Sequence, residues 1–126
     1  MSTSEVSQAE FQSILRTMLA DVPEAHGAVL ASRTGNPLYG TLDPAVCSRL
    51  AVTAAAVLAL SSRAAGVADL ERVSDLSIRA DRGHLLIYAV GDEGVLIVST
   101  SADVKVGLLH VVAKRAIHSL HSLMSR

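Results

Sequence analysis

Three histidines near the carboxyl terminus are the residues of this chain that come closest to a chemical site. His118 and His121 are three residues apart, so on a helix their imidazoles would share a face within reach of one metal ion, and His110 precedes them on the same polar side. Zinc sites usually need three or four converging ligands, and no cysteine or carboxylate joins these histidines on that face. A solvated polar helix face explains them, so we predict no metal site.

Cys47 is the single thiol of the chain, with His26 and His84 as the candidate bases elsewhere. Its aliphatic neighbours inside a predicted helix favour a buried thiol that packs as a small hydrophobic group. The loops at residues 33–35 and 91–94 lack the G-x-x-x-x-G-K-[ST] and G-x-G-x-x-G spacings with which backbone amides hold phosphates. We therefore predict no catalytic residue and no cofactor.

The charge and the aromatic content exclude a nucleic-acid partner. The chain has a formal net charge of −1, a pI near 6.5 and 2% aromatic residues, and its lysines and arginines do not cluster. Binding to nucleic acid needs a basic surface, often with aromatic stacking platforms, and both are missing. One cysteine excludes an internal disulfide, and the first ten residues are polar and acidic rather than a secretory signal, so we expect a cytoplasmic protein.

The length and the hydropathy indicate one domain that associates with another chain. The 126 residues fit a single domain over residues 1–126, in which we expect residues 1–6 to be flexible. Hydrophobic residues make up 50% of the chain and the mean hydropathy is +0.41, which is more apolar than a typical soluble monomer. This surplus needs a surface on which to be buried.

The segment at residues 43–65 is the element on which the arrangement of the others depends. Asp43 is expected to be the N-cap of a helix, Pro44 its first residue and Gly66 its end. Wound at 3.6 residues per turn, the segment forms a bulky aliphatic stripe that we expect to cover a sheet. That stripe comprises Val46, Leu50, Val57 and Leu60, with Cys47 and Leu58 beside it.

The opposite side of this helix is also apolar but carries small side chains. It comprises Ala51, Val52, Ala55, Ala56 and Ala59, and Arg49 and Arg63 mark one edge. Small side chains let two helix axes approach closely, so we predict a homodimer across a two-fold axis, and a solvated alanine face is the alternative. The longest nearly apolar run, residues 50–60, is shorter than the ~20 residues that cross a bilayer, so we predict no membrane insertion.

A first helix and a hairpin are predicted ahead of this segment. Residues 7–10 form a capping box, and Val6 and Phe11 have the spacing of a hydrophobic staple, so the first helix is expected to start at Ser7 and to end at Pro23. Residues 26–32 and 38–41 then predict two strands joined by a turn.

Three strands and a last helix are predicted after the segment. Residues 76–80 alternate as in a half-buried strand, whose start could reach back to Leu70, whereas residues 84–90 and 95–100 are nearly continuous β-formers. Strands without alternation are covered on both faces, so helices must lie on both sides of the sheet. Asp103 is expected to cap the last helix, which runs to about Ser122.

This order of elements resembles the Roadblock/dynein light-chain family. Residues 27–38 (GAVLASRTGNPL) are similar to that family's strand, turn and second strand, and the likeness continues through the Ala-rich helix, residues 96–100 and residues 107–109. The resemblance covers nearly all of residues 8–124. It implies a three-layer α/β/α sandwich on a five-stranded antiparallel sheet, with the element order α-β-β-α-β-β-β-α.

The resemblance also implies an interface and a partner. Family members commonly pair through the central helix and the strand after it, so the dimer interface would use the residues Ala51, Val52, Ala55, Ala56, Ala59, Leu76 and Ile78. Prokaryotic relatives are partners or regulators of small Ras-like GTPases, and Arg49 and Arg63 are the residues we assign to polar contacts with such a GTPase.

The expected function is therefore a non-enzymatic homodimeric module that binds and regulates or localises a small Ras-like GTPase. A passive scaffold that joins other proteins without a GTPase is the alternative from a different class. A small-molecule sensor or enzyme is a third possibility, but polar groups do not converge anywhere in the sequence to support it.

Overall fold

The computed structural model describes residues 3–125, with the side chains of residues 7–125. Its elements are α1 (Thr3–Ala20), β1 (Ala25–Ser32), β2 (Pro37–Gly40), α2 (Pro44–Val67), β3 (Asp75–Ala80), β4 (Gly83–Val90), β5 (Gly94–Ser101) and α3 (Val106–Met124). The strands form one antiparallel sheet in the order β2-β1-β5-β4-β3. Helices α1 and α3 pack together on one face and α2 on the other, which confirms the predicted sandwich and its element order.

The start of α2 follows from the two residues that the sequence singles out. Asp43 is the N-cap, and its carboxylate accepts a hydrogen bond of 3.2 Å from the backbone N–H of Ala45. Pro44 occupies the first helical position, where its missing N–H costs nothing. The helix continues one residue beyond Gly66 to Val67, and the backbone N–H of Ala68 closes it on the carbonyl of Ala64.

Three predicted boundaries are wrong. Helix α1 begins at Thr3 instead of Ser7, so the capping-box pattern lies inside the helix. Helix α3 begins at Val106 and its N-cap, Lys105, makes no capping hydrogen bond with its side chain. Asp103 does not cap it because its carboxylate accepts from the Ser101 hydroxyl in the preceding turn, a bond that lowers the pKa of Asp103.

The third is the possible extension of β3 back to Leu70: the strand starts at Asp75, one residue before the predicted Leu76. The backbone between α2 and β3 turns through positive φ angles at Asp69 and Glu71, which interrupts any strand there. The expected flexibility of residues 1–6 falls in part on Met1 and Ser2, which are outside the described residues, and it stays a prediction.

The two faces of the sheet carry separate cores. On one face, α1 and α3 cover a cluster that includes the fully buried Leu15, Leu30 and Leu109. On the other face, α2 alone covers a smaller cluster that includes Val29, Leu58 and Ile97. Because one helix cannot cover five strands, this second face is the one left incomplete.

Helix α2 is long and apolar enough, by length and composition, to cross a membrane. Of its most apolar stretch, 22% is buried inside the subunit. A helix that packs on a sheet through one side and leaves its other sides uncovered has the same properties. The absence of membrane insertion stays a prediction.

Candidate protein-interaction surface

The side of α2 that faces the sheet differs in part from the side that the sequence indicates. Cys47, Ala51, Ala54 and Leu58 are buried against the sheet, four residues at the spacing of one helical stripe. Of the bulky stripe expected there, Leu50 and Val57 are half-buried against this core, whereas Val46 is 43% and Leu60 is 64% exposed. The prediction that the bulky stripe covers the sheet is therefore right for its middle and wrong for its two ends.

Close approach of α2 to the strands explains this orientation. A Cβ atom placed on Gly40 in β2 would lie 2.6 Å from the Sγ atom of Cys47, and one placed on Gly35 would lie 3.2 Å from the Cα atom of Val52. Contacts this short leave no room for leucine or valine beneath the amino-terminal half of the helix. The small residues Cys47, Ala51 and Ala54 therefore face the sheet there, and Leu58 follows them in the second half of the helix.

The outward side of α2 carries five exposed residues in one line. They are Arg49, Val52, Ala56, Leu60 and Arg63, and we call them the outer stripe. Val52 is 62% and Leu60 is 64% exposed, which is unusual for aliphatic side chains in the middle of a helix. Within the described residues, neither arginine forms an ion pair.

The structure places the predicted interface residues at different depths. Val52, Ala56 and Ala59 are exposed and Ala55 is half-buried, so these side chains are accessible to a second chain. The assignment of Ala51 to the interface is wrong. Ala51 has no exposed surface and belongs to the core between α2 and the sheet, so its side chain cannot contact another subunit.

The edge strand β3 continues the uncovered surface. Among the described residues it pairs only with β4, so the outward N–H and C=O groups of β3 have no strand partner there. Leu76 is half-buried and Ile78 is 40% exposed. Both lie opposite Ile87 and Leu85 of β4, on the face that α2 covers. An apolar helix side and an open sheet edge therefore belong to the same layer of the molecule.

The histidines of α3 do not act as a group. His118 and His121 are exposed, as expected for a solvated helix face. His110 does not belong to that face: it is half-buried, and its Nδ1 atom lies 2.8 Å from the hydroxyl of Tyr88. Burial raises the pKa of Tyr88 well above its ordinary value, and the nearby carboxylate of Asp75 adds to the shift. Among the described residues, no group of three or more metal-ligating side chains converges.

The remaining candidates for chemistry are structural. Cys47 is buried, as predicted, and its thiol lies 3.4 Å from the carbonyl oxygen of Leu42. Arg33, which the sequence marks only as part of a turn, donates from Nη2 to the carbonyl of Gly91 at 2.7 Å and from Nε to the carbonyl of Gly94 at 3.0 Å. It thereby ties the β1–β2 turn to the β4–β5 hairpin.

These features define a class of protein: a small three-layer α/β/α domain that presents an uncovered apolar helix and an open sheet edge. The chain belongs to the Roadblock/LC7 domain family, whose sequence profile matches residues 13–100. The resemblance inferred from the sequence is thus confirmed. No curated protein sequence matches the chain.

Solved structures with the same fold come from several bacteria. A Roadblock/LC7 domain from Streptomyces avermitilis has a TM-score of 0.86 at 20% identity, over 91% of this chain and 98% of that chain. The gliding protein MglB from Thermus thermophilus has a TM-score of 0.83 at 20% identity, over 93% and 90%. MglB from Myxococcus xanthus has a TM-score of 0.84 at 17% identity, over 92% and 95%. At these identities the likeness is one of fold.

Proposed function

We propose that this chain is a homodimeric, non-enzymatic adaptor that binds and regulates or localises a small Ras-like GTPase in the cytoplasm. The observation that carries the proposal is the outer stripe of α2. Two of its residues, Val52 and Leu60, are aliphatic and more than 60% exposed, while the opposite side of the helix covers the sheet. Apolar surface of this kind is usually buried against another chain.

Pairing of two copies through α2 and β3 would cover part of this surface. The unpaired edge of β3 would find hydrogen-bond partners in a second β3 across a two-fold axis, and the two α2 helices would then lie side by side on one face of the joined sheet. Val52, Ala55, Ala56, Ala59, Leu76 and Ile78 are the residues that we assign to this interface.

The GTPase partner is proposed from the family resemblance, and the MglB structures named above support it through their likeness of fold. Arg49 and Arg63 are exposed and carry no ion pair among the described residues, so they remain our assigned polar contacts. No general acid, base or nucleophile is assigned, because no cluster of titratable side chains among the described residues suggests one.

The experiment has two parts. Light scattering at micromolar concentration should give twice the mass of the chain, and a monomer would contradict the dimer. Purified small GTPases from the same genome, each loaded with GDP or a non-hydrolysable GTP analogue, should then be tested for binding and for GTP turnover. Binding of one of them supports the proposal. A dimer that binds none of them and only joins other proteins is the passive scaffold, and it would overturn the GTPase half.

A further inference from the structure

The hydrogen bonds between β3 and β4 determine which backbone groups of β3 point to the open edge. Just before the strand begins, the carbonyl of Ser74 accepts a bond of 2.9 Å from the N–H of Ala89. Residues that bond the neighbouring strand alternate with residues that do not, so the backbone groups of Leu76 and Ile78 also face β4. The residues between them direct their N–H and C=O groups outward. These residues are Asp75, Ser77 and Arg79.

The side chains of β3 divide between the two faces of the sheet. Leu76 and Ile78 lie on the face that α2 covers. Asp75 and Arg79 lie on the other face, where the carboxylate of Asp75 acts on the pKa of Tyr88. Both charged residues are exposed, and neither forms an ion pair within the described residues. A strand that adds to this edge therefore meets apolar groups on one face and two opposite charges on the other.

A second copy of β3 matches both faces when Ser77 lies on a two-fold axis. Each residue then pairs with the residue equally far on the other side of the axis. Leu76 lies opposite the partner subunit's Ile78, and Asp75 lies opposite the partner subunit's Arg79. Outward backbone groups meet outward groups, so every unpaired N–H and C=O group between residues 75 and 79 gains a hydrogen-bond partner.

Other antiparallel registers lose part of this match. An axis between two residues sets outward backbone groups opposite inward ones, and their hydrogen bonds are lost. An axis at Leu76 leaves Arg79 opposite a residue that precedes the partner strand. An axis at Ile78 places Asp75 opposite the partner subunit's Asp81, so two like charges meet. The register described above is the one that pairs both charges of the strand.

We propose that β3 binds β3 of a second copy with Ser77 on the two-fold axis, and that ion pairs between Asp75 and the partner subunit's Arg79 select this partner. The inference rests on the homodimer of the proposed function and not on the partner's being a GTPase. Two-fold symmetry forms the ion pair twice. Opposite charges directly across two strands stabilise their pairing and like charges oppose it, so a strand with a different order of charges is disfavoured at this edge.

Two charge variants test the ion pairs. Asp75→Arg makes both positions positive and Arg79→Asp makes both negative, so each variant alone should dimerise on the order of tenfold more weakly than the wild type at low salt. Arg115→Asp, the same change at an exposed arginine of α3, should dimerise like the wild type. Equal dimerisation by all of these variants would overturn the ion pairs.

An equimolar mixture of Asp75→Arg and Arg79→Asp sharpens the test. In the mixed dimer every charged position again faces the opposite charge, so its dissociation constant should return to within about threefold of the wild type. Native mass spectrometry distinguishes the mixed dimer from the two homodimers, and we expect it to exceed the half share that random pairing gives. Random pairing would contradict the selection of the partner by these charges.

Cysteine cross-linking tests the register. Ser77→Cys places two thiols on opposing residues whose Cα atoms are about 5.5 Å apart, within the range of a disulfide. Ser74→Cys, the matched change, lies six positions from its own copy along the paired strands, or about 20 Å, and should not cross-link. Cys47 is buried and common to both variants.

Oxidation followed by a non-reducing gel measures the cross-link. A dimer in which Ser77→Cys does not cross-link, or in which Ser74→Cys cross-links equally well, would overturn the register and leave the proposed function standing. A wild-type chain that is a monomer at every concentration would refute the proposed function itself, which keeps the two failures distinguishable.

Discussion

The two faces of the sheet differ in how completely they are covered. Seventeen of the described residues are buried in the core beneath α1 and α3, against nine beneath α2. The first face has two helices that pack against each other and the sheet, whereas the second has one helix, which contacts the strands with one side and leaves Val52 and Leu60 exposed on the other. One chain thus contains a core that two helices cover and a second core that one helix covers only in part.

This difference assigns separate tasks to the two faces. The free energy of folding depends on the core beneath α1 and α3, because that is where most apolar surface leaves water. The surface available for association lies on the α2 side, because aliphatic groups there are still in contact with water. Substitutions on the two faces are therefore expected to change different measurements.

The largest effect on folding is expected from Leu109→Ala in α3. Leu109 is fully buried, so the change removes apolar contacts and leaves a cavity that costs about 2–5 kcal/mol in the free energy of unfolding. Leu60→Ala at the exposed stripe should cost the isolated subunit less than ~1 kcal/mol. Urea unfolding of both variants below the dissociation concentration measures the comparison, and equal losses would contradict it.

The largest effect on association is expected from Ala56→Arg in the centre of the outer stripe. The change places a charge and a long side chain among the residues that we assign to the α2 contact, and we expect at least a hundredfold weaker dimer, or about 2.7 kcal/mol. Analytical ultracentrifugation measures it. Ala9→Arg, a change at an exposed alanine of α1, is the matched control and should retain the wild-type mass. An unchanged mass for Ala56→Arg would refute the interface.

Burial of the Tyr88 hydroxyl should make the stability of the core beneath α1 and α3 sensitive to alkali. The folded pKa of Tyr88 is raised by burial above its ordinary value of 10.0, so the folded state retains the phenolic proton after the unfolded chain has released it. The contribution is complete below pH 10 and falls above it, by at most about 1.4 kcal/mol per pH unit.

Tyr88→Phe provides the control for this pH dependence. The variant should be less stable at pH 7 by about 1 kcal/mol, because it leaves the Nδ1 atom of His110 without its partner. Its stability should also fall less steeply than that of the wild type above pH 10. Thermal unfolding between pH 8 and 11 measures both effects, and parallel curves for the two proteins would contradict the assignment to Tyr88.

The smallest expected effect concerns the cap of α2. Asp43→Ala removes the hydrogen bond to the N–H of Ala45 and should cost about 1 kcal/mol in stability. Asp103→Ala is the comparison on the other face, where the carboxylate does not cap α3, so its loss should be smaller. Chemical denaturation measures the free energy of unfolding of both variants. An equal or larger loss for Asp103→Ala would contradict this prediction, because the turn at Asp103 would then contribute at least as much stability as the cap of α2.

The sequence predicts the architecture well because several local signals agree. The cap formed by Asp43 and Pro44, the nearly continuous strands β4 and β5 and the turn at Gly35 each specify one structure. Boundaries fail where two signals compete, as at Ser7, where the capping pattern lies within a segment that already forms helix.

The orientation of α2 could not be predicted from its own residues. When a helix is apolar on all sides, its hydrophobic pattern does not indicate which side faces the sheet. Its rotation about its own axis depends instead on how closely the strands approach it. That distance is set by Gly40 and Gly35, which lie outside the helix whose orientation they affect. The roles of Arg33 and His110 escape sequence reasoning for the same reason, since the partners of both are supplied by other elements.

The contact that Arg33 makes has a consequence for the lengths of the two turns that it joins. From the start of the β1–β2 turn its guanidinium donates to the carbonyls of Gly91 and Gly94, on either side of the β4–β5 hairpin tip. An insertion in either turn would displace one end of this contact, so relatives that keep the arginine should also keep both turn lengths.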